Sequence, residues 1–283
     1  MIWLKRSVTA LVMALGLAGL ARADDAPVEL RVMIFNIWLG GDQVSLSRTL
    51  DAIRAADADI VLLQEAEGRT RAFADALGWP YAMERRHLIS KYPLFDPPAA
   101  DADYALAEIL PGRFVAVADI HLTSDPYGPY AVRDGQTAEQ VLALETETRL
   151  PEIQLYIEQL SPLAAAGVPV IIGGDFNAPS HLDWTGAMVT ARPQVRFPLE
   201  WPVSKALVDA GFRDTYRETH PDPVVNPGIT WTSGYPVPHR DANEAIDRID
   251  QIHVLGNATT LASQIVGEAG GPDIDIGISP WPS

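Results

Sequence analysis

Short apolar runs, each closed by polar residues, recur along this chain and predict buried strands. The clearest is Val170-Ile171-Ile172, a β-branched run that breaks at Gly173-Gly174. Runs of the same kind cover residues 30–36, 59–65, 113–121 and 246–254. Weaker patterns predict further strands over 85–90, 104–110 and 260–266.

Apolar residues at helical spacing fall between these runs and predict helices near 46–56, 69–77 and 204–210. Residues 137–160 also have a helical pattern, but Pro151 lies inside it and must kink the helix or split it in two. Helices and strands thus alternate with hairpin-like strand pairs. This order is typical of a layered α/β fold with mixed sheets.

Polar residues with catalytic chemistry stand at the ends of five predicted strands. They are Asn36, Glu65, His121, the pair Asp175 and Asn177, and Asp250. Asp175 and Asn177 are two positions apart and therefore point to the same face of an extended chain. An Asx turn would explain that pair alone, but five such endings favour one site held by rigid strands.

In this order, these motifs resemble those of the endonuclease/exonuclease/phosphatase superfamily. The motifs are Phe-Asn36, Leu-Gln-Glu65, Ile-His-Leu122, Gly-Gly-Asp-Phe-Asn177 and Asp-Arg-Ile-Asp250, and the Ser-Lys-Tyr-Pro93 turn also fits. The match runs from about Leu30 to the C-terminus. The resemblance implies a four-layer α/β sandwich with two packed mixed β-sheets flanked by helices.

The predicted chemistry is metal-assisted cleavage of a phosphate ester. An oxygen-rich site suits Mg²⁺, which takes one or two carboxylates and keeps several waters. Glu65 is the expected direct ligand, with Asn36 beside it as an oxygen donor or orienting group. We therefore expect Mg²⁺ as the cofactor, with Mn²⁺ as an alternative.

Three further residues are expected to act on the phosphate and the attacking water. Asp175 would activate or orient the water, and Asn177 would hold the water or a phosphoryl oxygen. His121 matches the position of the family's phosphate-contacting histidine and would stabilise charge on the phosphoryl oxygens. Tyr127 and Tyr130 follow His121 and would contact the substrate or simply pack in their loop.

Asp250 matches a family aspartate that orients a catalytic histidine near the C-terminus. The family's final motif is Ser-Asp-His, whereas this sequence ends at Ser283. We expect that the natural domain continues with this motif and its strand. The alternative is a non-catalytic phosphoester-binding relative that lacks the histidine.

The length of the chain, its N-terminal segment and its lack of cysteine give the expectations for domains and location. The 283 residues predict one domain, over 24–283, behind a secretory signal peptide over 1–23. That segment has the charges of Lys5 and Arg6, a short apolar run and an Ala-x-Ala23 cleavage site, and an uncleaved anchor is the alternative. We expect a secreted or periplasmic monomer without a stable membrane anchor. The absence of cysteine fits export without proving it.

The strongly acidic balance bears on the substrate. The net charge is −16, and no Lys/Arg cluster appears in the mature chain. Proteins that bind nucleic acid tightly usually neutralise phosphates with basic patches. The motifs address only the phosphate, so nucleic acid, phospholipid and small phosphate esters all remain candidate substrates. The charge favours a small or lipid phosphoester over long DNA.

Overall fold

The computed structural model describes residues 26–42, 45–98, 102–231, 243–267 and 274–275. The predicted signal peptide and the last residues of the chain lie outside these ranges. Among the described residues, the strands are β1 (Val32–Asn36), β2 (Ile60–Gln64), β3 (Tyr81–Met83), β4 (Leu88–Ser90), β5 (Leu94–Phe95), β6 (Ala105–Leu110), β7 (Arg113–His121), β8 (Val170–Asp175), β9 (Arg213–Asp214), β10 (Asp250–Leu255), β11 (Val266–Gly267) and β12 (Ile274–Asp275).

The strands form two principal sheets. One has the order β1-β2-β4-β3 and the other the order β5-β6-β7-β8-β10-β9, while β11 and β12 pair separately. Both principal sheets are mixed, because β1 pairs with β2 and β7 with β8 in parallel, whereas the other pairs are antiparallel.

Helices pack on the outer faces of both sheets, and further helices pack against one another. They are α1 (Leu46–Ala55), α2 (Thr70–Leu77), α3 (Gly128–Arg133), α4 (Ala138–Thr148), α5 (Leu150–Ala165), α6 (Gly186–Ala191), α7 (Pro202–Asp209) and α8 (Thr215–Thr219). No helix in the described part of the chain is both long and apolar enough to cross a membrane.

Three apolar cores separate four layers. Strand β2 is buried along its whole length, because alternate residues face opposite cores. Val61 and Leu63 pack against α1 and α2, while Ile60 and Leu62 pack against the second sheet. The other face of the second sheet packs against α5 and α7. The chain therefore has the expected α/β sandwich of two packed sheets flanked by helices.

Most predicted elements are present with shifted ends, and two differences have clear physical causes. The segment 137–160 forms two helices, which meet at Arg149, and Pro151 lies in the first turn of α5, where its missing N–H is tolerated. The strand predicted over 260–266 is wrong except at its end, since only Val266–Gly267 is extended and paired. In this segment Ser263 Oγ lies 3.2 Å from Thr215 Oγ1. A pattern of apolar residues cannot predict such a polar contact between side chains.

The register of the second sheet aligns three of the polar strand ends. His121 pairs with Asp175 across β7 and β8, and Asp250 pairs with Asp175 across β10 and β8. Between these strands Gly174 has φ +144°, and a Cβ there would lie 2.0 Å from the Ile120 carbonyl oxygen. Glycine is therefore required for β8 to bring Asp175 into this row.

Candidate active site

The two sheets meet at a hydrogen-bonded group formed by Asn36, Glu65 and Asp175. Asn36 Nδ2 donates to Glu65 Oε1 at 3.0 Å and to Asp175 Oδ2 at 3.1 Å. Asn36 and Glu65 come from the ends of β1 and β2, whereas Asp175 ends β8 in the other sheet. The structure thus brings together three of the polar strand ends, although 139 positions separate Asn36 from Asp175.

Asp175 lies at the centre of this site and is only 6 % exposed. Its Oδ1 accepts from the Asn177 backbone N–H at 2.8 Å, and its Oδ2 lies 3.8 Å from Nε2 of His121, whose side chain is 37 % exposed. Burial raises the pKa of Asp175, although the Asn177 N–H, His121 and Asn36 oppose that shift. A carboxylate with a raised pKa is a stronger base, as activation of water requires.

Glu65 is held by its backbone and its side chain. Its φ of +57° places it in the left-handed region, which a non-glycine residue rarely adopts. The Glu65 carbonyl accepts from Gly40 N at 2.8 Å, and Oε2 accepts from Leu39 N at 3.1 Å. These bonds fix the carboxylate toward Asn36. Such a backbone conformation is typical of functional sites, where the surrounding structure compensates for its cost.

Asp250 lies beside Asp175 at the start of β10. Burial raises its pKa to about 8, and the negative charge of Asp175 adds to the shift. Thr230 supports this turn, because its Oγ1 accepts from the N–H groups of Ile249 and Asp250 at 3.1 Å. The expectation that Asp250 orients a catalytic histidine stays a prediction.

Asn177, Tyr127 and Tyr130 are near the site, but their side chains have other contacts. Asn177 Nδ2 donates to the Leu122 carbonyl at 2.9 Å, which ties the loop after β8 to the end of β7. Tyr127 is 8 % exposed and packs edge to face on Tyr130 at 4.8 Å between ring centroids. The structure thus shows packing for Tyr127, whose buried hydroxyl has no partner.

The donors present fit a hard divalent cation. No group of three or more His, Asp and Glu residues in the described part of the chain surrounds a single point. Mg²⁺ needs fewer, because it commonly binds through one or two carboxylates, waters and substrate oxygens. Glu65 and Asp175 share the hydrogens of one Asn36 amide, and the Glu65 charge contributes to raising the pKa of Asp175. A cation at Glu65 would relieve this repulsion between carboxylates.

A buried ion-pair network supports β10 and was missed from the sequence. Arg248 Nε donates to Asp183 Oδ2 at 2.9 Å, and its Nη2 donates to Asp214 Oδ2 at 2.6 Å. Arg217 Nε donates to Asp183 Oδ1 at 2.5 Å. These residues are far apart in sequence, so no local pattern reveals the network.

Next to this network, Asp247 accepts from Trp184 Nε1 at 3.0 Å, and burial raises the pKa of Asp247 to about 7. His253 is fully buried, with Nε2 3.0 Å from Gln251 Oε1.

A second buried ion pair holds the loop that follows His121. Arg149 Nη1 donates to Glu145 Oε1 at 2.7 Å, and its Nη2 donates to the carbonyls of Ser124 and Pro126. Glu145 Oε1 also accepts from Gly128 N at 3.1 Å. A charged pair four residues apart usually indicates an exposed helix face, so the spacing alone does not indicate that this pair is buried.

The comparisons with known proteins agree with this fold. The model of the Endonuclease/Exonuclease/phosphatase family matches residues 33–283, so the chain belongs to this family, whose members hydrolyse phosphoester bonds. An uncharacterised protein of Caenorhabditis elegans is 31 % identical over 259 residues, which cover 80 % of this chain and 79 % of that protein.

Two solved structures share the architecture. Truncated TDP2 of Caenorhabditis elegans is 18 % identical with a TM-score of 0.50, and the match covers 81 % of this chain and 84 % of TDP2. An endonuclease/exonuclease/phosphatase from Beutenbergia cavernae is 17 % identical with a TM-score of 0.51, covering 87 % of this chain and 69 % of that one. At these identities the likeness concerns the fold alone.

Proposed function

We propose that this protein is a metal-dependent phosphoester hydrolase that cleaves its substrate by in-line attack of an activated water. The observation that carries the proposal is the hydrogen-bonded group of Asn36, Glu65 and Asp175, with His121 3.8 Å from Asp175. In this arrangement Asp175 is a buried base, Glu65 is a carboxylate that could hold a cation, and His121 is an imidazole beside Asp175. Family membership supports phosphoester hydrolysis as the reaction class.

In the proposed reaction, Asp175 accepts the proton of the attacking water. Its carboxylate is fixed from two directions, by Asn36 Nδ2 and by the Asn177 N–H, so little reorganisation is needed when the water binds. The His121 side chain lies beside Asp175 and is partly exposed to solvent. It would donate a hydrogen bond to a phosphoryl oxygen as negative charge develops on that oxygen.

Glu65 would hold the cation, with Asn36 orienting the carboxylate through the hydrogen bond to Oε1. When bound, Mg²⁺ or Mn²⁺ supplies Lewis-acid stabilisation of the phosphoryl and leaving oxygens. The fixed orientation of Glu65 toward the site, through Leu39 N and Asn36 Nδ2, supports this assignment.

The test is hydrolysis of bis(p-nitrophenyl) phosphate by the purified protein. We expect turnover with Mg²⁺ or Mn²⁺, loss of turnover in excess chelator, and recovery when the metal is restored. Glu65→Gln should raise the metal concentration needed for half-maximal rate, whereas Glu139→Gln, an exposed change on α4, should not. Full activity in excess chelator would disprove the metal role, and binding without turnover would favour the non-catalytic alternative.

We further propose that the protein acts outside the cytoplasm as a monomer, with residues 1–23 removed on export. The support is the pattern of the N-terminal sequence, in which two basic residues precede an apolar run and an Ala-x-Ala site. Mass spectrometry of the exported protein should give a mature N-terminus at Asp24. An N-terminus at Met1 in the exported fraction would contradict cleavage.

A further inference from the structure

The loop over 37–42, which follows β1, presents two large apolar side chains to solvent beside the proposed catalytic residues. Trp38 is 39 % exposed, and Leu39 is 48 % exposed. The Trp38 N–H donates to Asn36 Oδ1 at 3.0 Å, and the Leu39 N–H donates to Glu65 Oε2 at 3.1 Å. Because each Cβ is two bonds from its backbone nitrogen, both side chains begin within roughly 6 Å of these oxygens. They therefore border the proposed site.

The backbone of this loop has a conformation that favours glycine. The φ angles of four consecutive residues, Trp38, Leu39, Gly40 and Gly41, are +44°, +52°, +71° and +77°. Glycine adopts positive φ readily, whereas a bulky residue adopts it rarely and with strain. The sequence has glycine at the last two positions but tryptophan and leucine at the first two. The local backbone geometry therefore does not account for these two residue types.

Contacts on both sides hold the loop in place. The Gly40 N–H donates to the Glu65 carbonyl at 2.8 Å, and Arg69 Nη1 donates to the Gly40 carbonyl at 3.2 Å. Arg69 also donates to both carboxylate oxygens of Asp42, at 2.5 and 2.7 Å. A strained conformation persists only where the surrounding contacts determine it, and such positions cluster at functional sites. A side chain on a fixed loop also loses less conformational freedom when it binds a ligand.

Packing in the core does not account for these side chains either. Ile37 precedes them and is fully buried in the core beside α1 and α2, whereas more than a third of Trp38 and nearly half of Leu39 stay exposed. Trp184 and Trp201 show the contrast, since they are at most 2 % exposed and pack edge to face on each other. An exposed tryptophan supplies a large, rigid apolar surface, and such side chains often dominate the energy of binding.

We propose that Trp38 and Leu39 contact an organic group esterified to the substrate phosphate, and that this group is an aryl group or an alkyl chain. The proposal rests on the proposed function, because a phosphate bound at the catalytic residues brings its ester groups to the border of the site. An apolar group that packs on the indole ring and the leucine side chain removes apolar surface of both partners from water. Trp38 and Leu39 thus determine specificity, and phosphoesters with a large apolar group are the preferred substrates.

Calorimetric titration with Mg²⁺ present tests this with phenylphosphonate, butylphosphonate and methylphosphonate, whose P–C bonds resist hydrolysis. Each carries a single organic group, so the affinity reports on that group whichever ester position it occupies. Phenylphosphonate should bind about tenfold more tightly than methylphosphonate, which is about 1.4 kcal/mol and the size of one contact between aromatic rings. Butylphosphonate should also bind more tightly than methylphosphonate. Equal affinities for all three would overturn the proposal.

Variants locate the preference in the loop. Trp38→Ala should remove most of the affinity ratio of phenylphosphonate to methylphosphonate, and Leu39→Ala should reduce it. Trp38→Phe retains an aromatic ring and should keep most of the ratio. Leu155→Ala, a change at a 58 % exposed leucine of α5, should leave the ratio as it is in the wild type. Circular dichroism checks the folding of each variant, and Leu39→Ala decides if Trp38→Ala does not fold. An unchanged ratio in the folded loop variants would overturn the assignment.

The same proteins separate this inference from the proposed function. A preference for phenylphosphonate that Trp38→Ala removes, without hydrolysis of any p-nitrophenyl diester, would support the role of the loop and contradict the hydrolase. Metal-dependent hydrolysis of bis(p-nitrophenyl) phosphate with equal affinities for the three phosphonates would support the hydrolase and contradict the role of the loop.

Discussion

At the residue scale, Asp175 is the proposed base, and its Oδ2 accepts from Asn36 Nδ2 of the other sheet. Asp175→Asn keeps the shape of the side chain but removes the base, so kcat should fall by about 10²–10⁴-fold. The KM should change little, because the phosphate contact proposed for His121 and the cation proposed at Glu65 remain. Steady-state kinetics with bis(p-nitrophenyl) phosphate measure both, and Asp209→Asn, an exposed change on α7, is the control. A near-normal kcat would show that another group activates the water.

Asp247 gives a prediction about pH. Its pKa is raised from 3.8 to about 7, chiefly by burial, so the folded state favours its protonated form. The stability that this group contributes is present below pH 3.8 and is lost as the pH rises through about 7. Asp247→Asn cannot ionise and should therefore escape this loss while keeping an acceptor for Trp184.

The measurement is urea unfolding of the wild type and Asp247→Asn at pH 4.5 and pH 8. The free energy of unfolding of the variant relative to the wild type should increase by roughly a few kcal/mol at the higher pH, because a tenfold change in proton affinity between the folded and unfolded states corresponds to about 1.4 kcal/mol. A constant difference for Asp247→Asn would show that Asp247 stays ionised in the folded protein.

Residue types and strand ends revealed the site, but not its supporting contacts. Asn36, Glu65 and Asp175 were candidates because each is a polar residue that ends an apolar strand, whereas the packing that brings Asp175 of the second sheet to the other two is a property of the tertiary fold. The partners of Arg248 were not, since Asp183 and Asp214 reach it only through the tertiary fold. The same holds for Gln64 and Asp119, which come from different sheets and are 55 positions apart.

At the element scale, the first residue of α3, Gly128, packs tightly against neighbouring side chains. A Cβ on Gly128 would lie 2.4 Å from Glu145 Oε1 and 2.5 Å from the Trp201 ring. Gly128→Ala must displace one of these groups and should reduce the free energy of unfolding by about 1–3 kcal/mol. It should also shift Tyr127, which immediately precedes α3, and lower kcat/KM.

Gly186→Ala provides a matched control, because Gly186 also begins a short helix and a Cβ there has nothing within 4 Å. Its stability should be unchanged or slightly higher, by up to about 1 kcal/mol. Denaturant unfolding of both variants gives the comparison. Equal stabilities would mean that the contact around Gly128 relaxes without cost.

Periodicity predicted element type better than element ends. The strand β2 was predictable because residues 60–63 form an uninterrupted apolar run, which is typical of a strand buried on both faces. The break between α4 and α5 was one of two alternatives allowed by Pro151, and the structure places it at Arg149, whose guanidinium turns inward to Glu145. Arg149 Nη2 also donates to the carbonyls of Ser124 and Pro126, and the sequence pattern does not contain these contacts with a distant loop.

At the scale of the whole molecule, the proposed cation site lies where the two sheets meet. Glu65 belongs to the first sheet, and Asn36 connects it to Asp175 in the second. A cation held there binds only the folded chain, since unfolding separates these groups. It should therefore stabilise the entire domain by mass action, by about 2.7 kcal/mol when its concentration is 100 times the Kd.

The expected result is a rise in Tm with added Mg²⁺, by about 2–4 °C for each kcal/mol in a domain of this size. Differential scanning calorimetry at constant ionic strength measures it, with NaCl replacing MgCl₂ in the reference. Glu65→Gln should abolish most of the rise, whereas Glu139→Gln should preserve it. General screening of the negative charge would raise the Tm of all three proteins equally. An equal rise in Glu65→Gln would therefore place the stabilising ion elsewhere on the acidic surface and remove the support for a cation between the sheets.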